Sequence, residues 1–80
     1  MPTEYIKLKR KVKEIPDIRS FNGLLDASTI SDLDKEILRM HYLQDRDFGY
    51  IADVLGYNEQ TIKIKHKRAL LKISKLLWQS

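Results

Sequence analysis

The fold is decided by residues 47–69, DFGYIADVLGYNEQTIKIKHKRA. Asp47 and Asn58 are residue types that cap helix N-termini, and apolar side chains at helical spacing follow each of them. Gly56 stands where a helix favours a left-handed C-terminal cap. We therefore expect two helices joined by a tight turn, with these bounds: Phe48 to Leu55, and Glu59 to about Leu77.

The apolar residues of this pair predict how the helices pack. In the short helix the inward positions are Ile51, Ala52 and Leu55, and the small Ala52 permits a close crossing. In the long helix the expected buried row is Ile62, Ala69 and Ile73, widened by Leu70, Leu76 and Leu77. Two helices that cross closely around a glycine-containing turn are typical of a helix-turn-helix.

A third helix is expected to begin after Ser31. The run Ser31-Asp32-Leu33-Asp34 resembles a capping box with Asp in place of Glu, and acidic residues suit the positive end of a helix. Its inward stripe runs to about Leu43 through Leu33, Ile37 and Met40. Residues 44–47 then form a polar break.

The N-terminal third predicts one further helix. Its stripe recurs at steps of three and four residues through Tyr5, Leu8, Val12 and Ile15, and Pro16 ends it. Residues 18–25 are interrupted by Asn22-Gly23, which predicts a short helical turn and a loop. We expect an all-α fold, a small helical bundle in one folded unit, with residues 1–30 packed on a helix-turn-helix domain of residues 31–80.

Composition restricts the class of protein. Eighty residues without cysteine fit one small domain that has no disulfide or thiolate metal site. No stretch approaches the roughly 20 apolar residues of a membrane span, so a soluble protein is expected. The absence of cysteine suits a reducing cytoplasm, and a cytoplasmic location is therefore expected. No nucleophile and base pairing or phosphate-cradling glycine loop occurs, so we expect neither an enzyme nor a cofactor.

Charge is unevenly distributed along the chain. Residues 1–16 carry five basic and two acidic side chains, residues 17–58 four and eight, and residues 59–80 six and one. A basic segment beside an acidic one predicts a polarised surface that offers one face to a polyanion.

A helix-turn-helix with a basic second helix indicates binding of double-stranded DNA in the major groove. The first turns reach the bases, so Gln60, Lys63 and Ile64 are assigned to the groove floor together with Glu59, and Thr61 to its rim. In chemistry Gln60 suits adenine and Lys63 suits guanine. Ile64 suits a thymine methyl, and Glu59 suits cytosine. Phosphate contacts that fix the register are assigned to Lys65, Lys67 and Arg68.

Three of these assignments have ordinary structural alternatives. Ile64 is equally consistent with packing against the N-terminal helix. Glu59 suits the positive end of its helix dipole, and Gln60 suits a solvated first turn. His41 and His66 lack the neighbours of a metal site, and His66 is expected to flank the core or a phosphate.

From Leu33 onward the chain resembles region 4 of bacterial sigma factors of the sigma-seventy class. The resemblance rests on Glu36-Ile37-Leu38 with Tyr42, Ile51-Ala52 with Leu55-Gly56, Thr61-Ile62-Lys63, and Arg68-Ala69-Leu70 with Ile73. It implies a helix-turn-helix that reads promoter DNA and contacts the polymerase core, with Thr61, Lys63, Lys65 and Arg68 facing DNA. The chain is also similar to LuxR-type DNA-binding domains. Gly49 and Tyr50 depart from the glutamates that often open this helix in the family, so the turn is expected to be weaker.

Several functions are consistent with this resemblance. A stand-alone bacterial or phage transcription regulator is the first, since eighty residues leave no room for the core-binding region 2 of a complete sigma factor. An adaptor that binds RNA polymerase or another regulator, and the DNA-recognition small subunit of a phage terminase, are the alternatives. The apolar C-terminal residues predict either packing against the first helix or a homodimer through Ile73, Leu76, Leu77 and Trp78.

Overall fold

The computed structural model describes the backbone of residues 3–78 and the side chains of residues 6–76. Within this part the chain forms five α-helices and no strand, and α3 continues into a π-helical turn. The bounds are α1 Thr3–Lys13, α2 Ile18–Ala27, α3 Asp32–Leu38, the π turn Arg39–Leu43, α4 Phe48–Leu55 and α5 Glu59–Trp78. The expected all-α bundle with a helix-turn-helix and a long last helix is confirmed.

The predicted helix caps are confirmed. Ser31, Asp47 and Asn58 each accept a hydrogen bond from the backbone amide three residues further on, at 3.2, 2.8 and 2.7 Å. Gly56 ends α4 with a φ of 79°, in the left-handed region that favours glycine. These caps satisfy backbone groups at the helix ends and fix where α4 stops and α5 begins.

Removal of the α5 cap tests this local account. We expect Asn58→Ala to lower the free energy of unfolding by about 1 kcal/mol, because the amide that Asn58 caps loses its acceptor. Asn58→Asp keeps an acceptor and is the matched control, with stability close to that of the native chain. Chemical denaturation followed by circular dichroism measures both, and an equal loss in the two variants would contradict the capping role.

The prediction of a turn and loop around Asn22-Gly23 is wrong. These residues lie inside the continuous helix α2, which Asp17 caps through a 2.6 Å hydrogen bond from the backbone amide three residues on. This hydrogen bond also lowers the pKa of Asp17. Phe21 and Leu25 lie one turn apart and are both buried, so tertiary packing outweighs the low helix propensity of the glycine.

Two clusters of buried apolar side chains form the core, and α5 contributes to both. The larger cluster joins α1, α2, the segment before α3, the end of α3 and the second half of α5; its members are Leu8, Val12, Phe21, Leu25, Ile30, Leu38, Ala69, Leu70 and Ile73. The smaller cluster joins α3, the π turn, α4 and the start of α5; its members are Ile37, Met40, Ile51, Ala52 and Ile62. The long helix is therefore held along most of its length.

The homodimer surface predicted at the C-terminus is wrong for Ile73. This side chain is completely buried and lies in the larger cluster with Leu8 and Val12 of α1. The alternative of packing within the same chain is the one observed, because the apolar row of α1 covers this part of α5. Leu76 is half-buried. The side chains of Tyr5, Leu77 and Trp78, which also entered these predictions, lie outside the described residues.

Candidate nucleic-acid interface

The second helix of the helix-turn-helix, α5, is anchored in the core by one row of buried side chains. Ile62, His66, Ala69 and Ile73 recur at steps of three and four residues along α5 and are each completely buried. The rest of the helix circumference is left for polar and charged side chains. The site residues therefore project from a helix that is anchored in the core, which gives them a defined direction.

The structure leaves the predicted site residues available on the surface of α5. The exposed ones are Gln60, Lys63, Ile64, Lys67 and Arg68, and the half-buried ones are Thr61 and Lys65. None of them belongs to the buried row. They span about 12 Å of helix at 1.5 Å per residue, a length that fits within the width of a major groove.

Lys63 is held by an ion pair at the start of α5. Its Nζ lies 3.6 Å from Oε2 of Glu59, one turn earlier, and the side chain of Lys63 remains 51% exposed. An exposed pair of this kind stabilises a protein by less than about 1 kcal/mol. Exchange of this partner for a base or a phosphate therefore costs little.

Glu59 also lies against the first turn of α4. A Cβ added at Gly49 would stand 2.9 Å from Oε1 of Glu59 and 3.5 Å from Oδ1 of Asp47. Because Gly49 has no side chain, it leaves the space that the carboxylate of Glu59 occupies. The resemblance implied a glutamate at position 49. The contact links the opening turns of α4 and α5, and it agrees with a structural role for Glu59.

Ile64 takes no part in the core. Its side chain is 45% exposed and belongs to neither buried cluster, whereas Ile62 two residues earlier is completely buried. Packing of Ile64 into a core with the N-terminal helix is therefore not what the structure shows. Contact with a thymine methyl stays a prediction.

Lys65 lies beside the turn between the two helices. Its Nζ is 5.8 Å from the centre of the Tyr57 ring, within the range of a cation-π contact. Arg46, before α4, makes a similar contact at 4.8 Å with the ring of Tyr50. Thus Tyr57 in the turn and Tyr50 at the start of α4 each lie against a cation.

A cluster of rings under α5 was not expected from the sequence. His41 stacks on Phe48 at 4.3 Å between ring centres and meets His66 edge-on at 5.2 Å. The hydroxyl of Tyr42 is 2.8 Å from Nε2 of His66. Residues 25 positions apart in the chain therefore meet beneath the predicted interface.

The π turn explains why His41 and Tyr42 both reach this cluster. In the π turn the amide of Gln44 bonds to the carbonyl of Arg39, five residues back, which widens the helix locally. Adjacent residues then point toward α5 together. Asp45, with a φ of 59°, closes the turn, and Nδ1 of His41 lies 2.9 Å from the carbonyl oxygen of Arg46.

His66 is completely buried, so of its two expected positions, at the core or beside a phosphate, the structure shows the one in the core. Burial, together with charge repulsion from His41 and Lys9, lowers the pKa of His66 to about 3. One signal in the sequence was available: His66 lies four residues after Ile62 and three before Ala69, so it falls on the buried row. Its hydrogen bond to Tyr42 depends on tertiary contacts and gives no sequence signal.

A comparison with protein-family models matches residues 28–75 to sigma-70 region 4, and this range is more than half of the chain. The chain belongs to the sigma-70 region 4 family. Region 4 is a DNA-binding helix-turn-helix domain, and sigma factors contact RNA polymerase. The matched range includes α3, the π turn, α4 and most of α5, so it contains the α5 residues that are predicted to contact DNA.

Other comparisons add no relative of this region 4 domain. Neither the curated proteins nor the solved structures gave a match. In residues 3–78, no helix has both the length and the apolar composition that a membrane crossing needs. Among the side chains of residues 6–76, no three histidine, aspartate or glutamate residues are grouped as metal ligands would be.

Proposed function

We propose that this region 4 domain binds specific sequences of double-stranded DNA and acts as a stand-alone transcription regulator. The observation that carries the proposal is the direction of α5, whose buried row is anchored in the core while Gln60, Lys63 and Arg68 stay exposed. Membership of a DNA-binding family supports the same partner. The first turns of α5 read the bases, and the cations further along the helix contact phosphates.

The two cations have different roles, and this difference makes the proposal testable. Lys63 lies near the start of α5, where it donates to a base such as guanine. Arg68 lies five residues further along, where it contacts the backbone. Loss of a base contact changes sequence preference, whereas loss of a phosphate contact weakens binding to every sequence alike.

The test begins with selection of bound duplexes from a random pool. On a selected duplex we expect Lys63→Ala to weaken binding about 10- to 100-fold and to relax the preference at one position. Arg68→Ala is expected to weaken binding to all duplexes and to lower the salt slope by about one. Fluorescence anisotropy at several salt concentrations measures both effects.

Arg19→Ala is the matched control, because Arg19 is also an exposed cation but lies on α2, outside the proposed interface. We expect this variant to bind like the native chain apart from a small uniform effect of net charge. If the two α5 variants bound the duplex as tightly as the Arg19 variant does, the proposal would be contradicted.

An adaptor that binds RNA polymerase or another regulator is a second candidate function. The outward face of α4 supports it, since Tyr50 is 45% and Val54 56% exposed and the two lie one turn apart. Exposed apolar side chains of this kind often form partner surfaces. For an adaptor, Val54→Asp abolishes capture of polymerase while Lys63→Ala leaves it intact. For a DNA-binding regulator, Lys63→Ala lowers the affinity for the duplex while Val54→Asp leaves it unchanged.

A further inference from the structure

The second half of α5 carries two cations that the proposed interface does not use. Lys72 and Lys75 are both exposed, and they follow Arg68, the last residue of that interface, by four and seven residues. After Glu59 the sequence contains no acidic residue up to its end at Ser80. The long helix therefore stays basic beyond the segment that is assigned to the groove.

These two lysines share one side of α5 with cations that are already assigned to phosphates. Four residues recur at steps of three, four and three, the spacing that places side chains on one side of a helix: Lys65, Arg68, Lys72 and Lys75. This basic stripe extends about 15 Å along α5 at 1.5 Å per residue. Because the buried row anchors α5 in the core, the stripe has a constant direction in the molecule.

The far end of the basic stripe carries no ion pair within the protein. Among the side chains of residues 6–76 the ion pairs involve Lys35, Arg39 and Lys63, and none involves Lys72 or Lys75. Two cations one turn apart on a helix repel each other, and an anion placed between them offsets this repulsion. The far end of the stripe is therefore suited to an anionic partner.

A pocket beside the two lysines offers room for such an anion. It has a volume of about 210 Å³, and Lys72 and Lys75 form one side of it. The other side is the end of α2 and the segment after it, where Ser28 and Thr29 supply hydroxyl groups. Among the described residues no acidic side chain lines this pocket. Ammonium and hydroxyl groups are the hydrogen-bond donors that a phosphate group accepts from.

The length of α5 favours DNA as the source of this phosphate. Residues 60–68 span about 12 Å, which is already the width of a major groove. Lys72 and Lys75 lie about 6 and 11 Å beyond Arg68 along the same helix. A helix that enters the groove by its first turns directs its later turns toward the phosphates that border the groove.

We infer that Lys72 and Lys75 bind backbone phosphates of the duplex beyond the groove that the first turns of α5 read, and that the pocket beside them receives one of these phosphates. The inference rests on the proposed function, because it extends the same helix onto the flank of the same duplex. Contacts of this kind add affinity without sequence preference.

The test is the salt dependence of duplex binding by the full chain with Lys72→Gln and Lys75→Gln combined. Fluorescence anisotropy is measured on a long duplex, in which base pairs flank the selected consensus, and on a short duplex that holds the consensus alone. Each phosphate contact contributes about 0.9 to the slope of log affinity against log salt, so on the long duplex we expect the slope to fall by roughly two. On the short duplex the flanking phosphates are absent, and we expect the native chain and the variant to have equal slopes.

The double variant Lys7→Gln with Lys13→Gln is the matched control. It also removes two exposed lysines, but from α1, whose Leu8 and Val12 pack on the buried side of α5. We expect its slope to stay close to that of the native chain on both duplexes. Because all four lysines are exposed, thermal unfolding of both variants is expected to match that of the native chain. An equal fall in slope in the two double variants would show a general effect of net charge and would overturn the inference.

The remaining outcomes separate this inference from the proposed function. If the Lys63 and Arg68 variants lose binding while the variant of Lys72 and Lys75 keeps the native slope on the long duplex, the inference is wrong and the proposed function stands. A fall of equal size on the long and the short duplex also contradicts the inference. If the native chain binds no duplex of the random pool, both are wrong. A fall confined to the long duplex, with an unchanged consensus, supports both.

Discussion

The free energy of unfolding falls by about 1.5 kcal/mol as the pH is lowered from 6.5 to 5, because His66 is buried in its neutral form. In the unfolded chain a histidine has a pKa of about 6.5. In the folded protein burial, together with charge repulsion from His41 and Lys9, lowers the pKa of His66 to about 3. At pH values between these two pKa values, His66 binds a proton in the unfolded state but not in the folded state.

The sign of this dependence follows from proton linkage. Stabilisation by neutral His66 is fully present above about pH 6.5 and is lost as the pH falls toward 3. The loss approaches about 1.4 kcal/mol per pH unit inside this window. Most carboxylates titrate below pH 5. The pH dependence of the free energy of unfolding between pH 6.5 and 5 therefore comes mainly from histidine.

Urea denaturation at several pH values measures the effect, and two variants assign it. His66→Gln keeps a neutral polar side chain beside the Tyr42 hydroxyl, and we expect it to be less stable but nearly independent of pH in this interval. His41→Gln keeps His66 and is expected to keep most of the slope. An equal slope in the native chain and the His66 variant would contradict the account.

Ile62→Ala is expected to lower the free energy of unfolding by about 2 to 5 kcal/mol, which is most of the stability of a domain this small. Ile62 is completely buried in the smaller cluster, where α5 packs on Ile51 and Ala52 of α4. The substitution leaves a cavity between the two helices of the helix-turn-helix. We expect DNA binding to be lost with the fold.

Ile64→Ala is the matched control, since the same side chain is shortened two residues away on the same helix. With 45% of its surface exposed, Ile64 is expected to contribute within about 0.5 kcal/mol to stability. Thermal unfolding separates the two variants. If both lost equal stability, the assignment of the buried and outward faces of α5 would be wrong.

Local signals in the sequence were sufficient to predict the helix-turn-helix. Asp47, Gly56 and Asn58 set the helix ends through hydrogen bonds and backbone geometry within a few residues, and the structure has those ends where they were predicted. The row of Ile62 and Ala69 fixed the inward face of α5 in the same way. Both kinds of signal depend on sequence spacing, so one chain is enough to detect them.

Features that depend on distant contacts were not predicted. Gly23 lies within a helix because Phe21 and Leu25 are buried against other elements, and no local propensity gives that result. The π turn and the contact between Tyr42 and His66 likewise require α5 to be in place. Of the eight residues assigned to DNA contacts, six are exposed and two, Thr61 and Lys65, are half-buried. Base readout depends on a partner and stays a prediction.

If α5 presents its outward face to the major groove, amide chemical shifts measured in a titration with a duplex selected from the random pool will change along this helix. We expect the largest changes at residues 59–68 and few in α2. Changes concentrated in α2 and α3, with the amides of α5 unaffected, would contradict this orientation of α5.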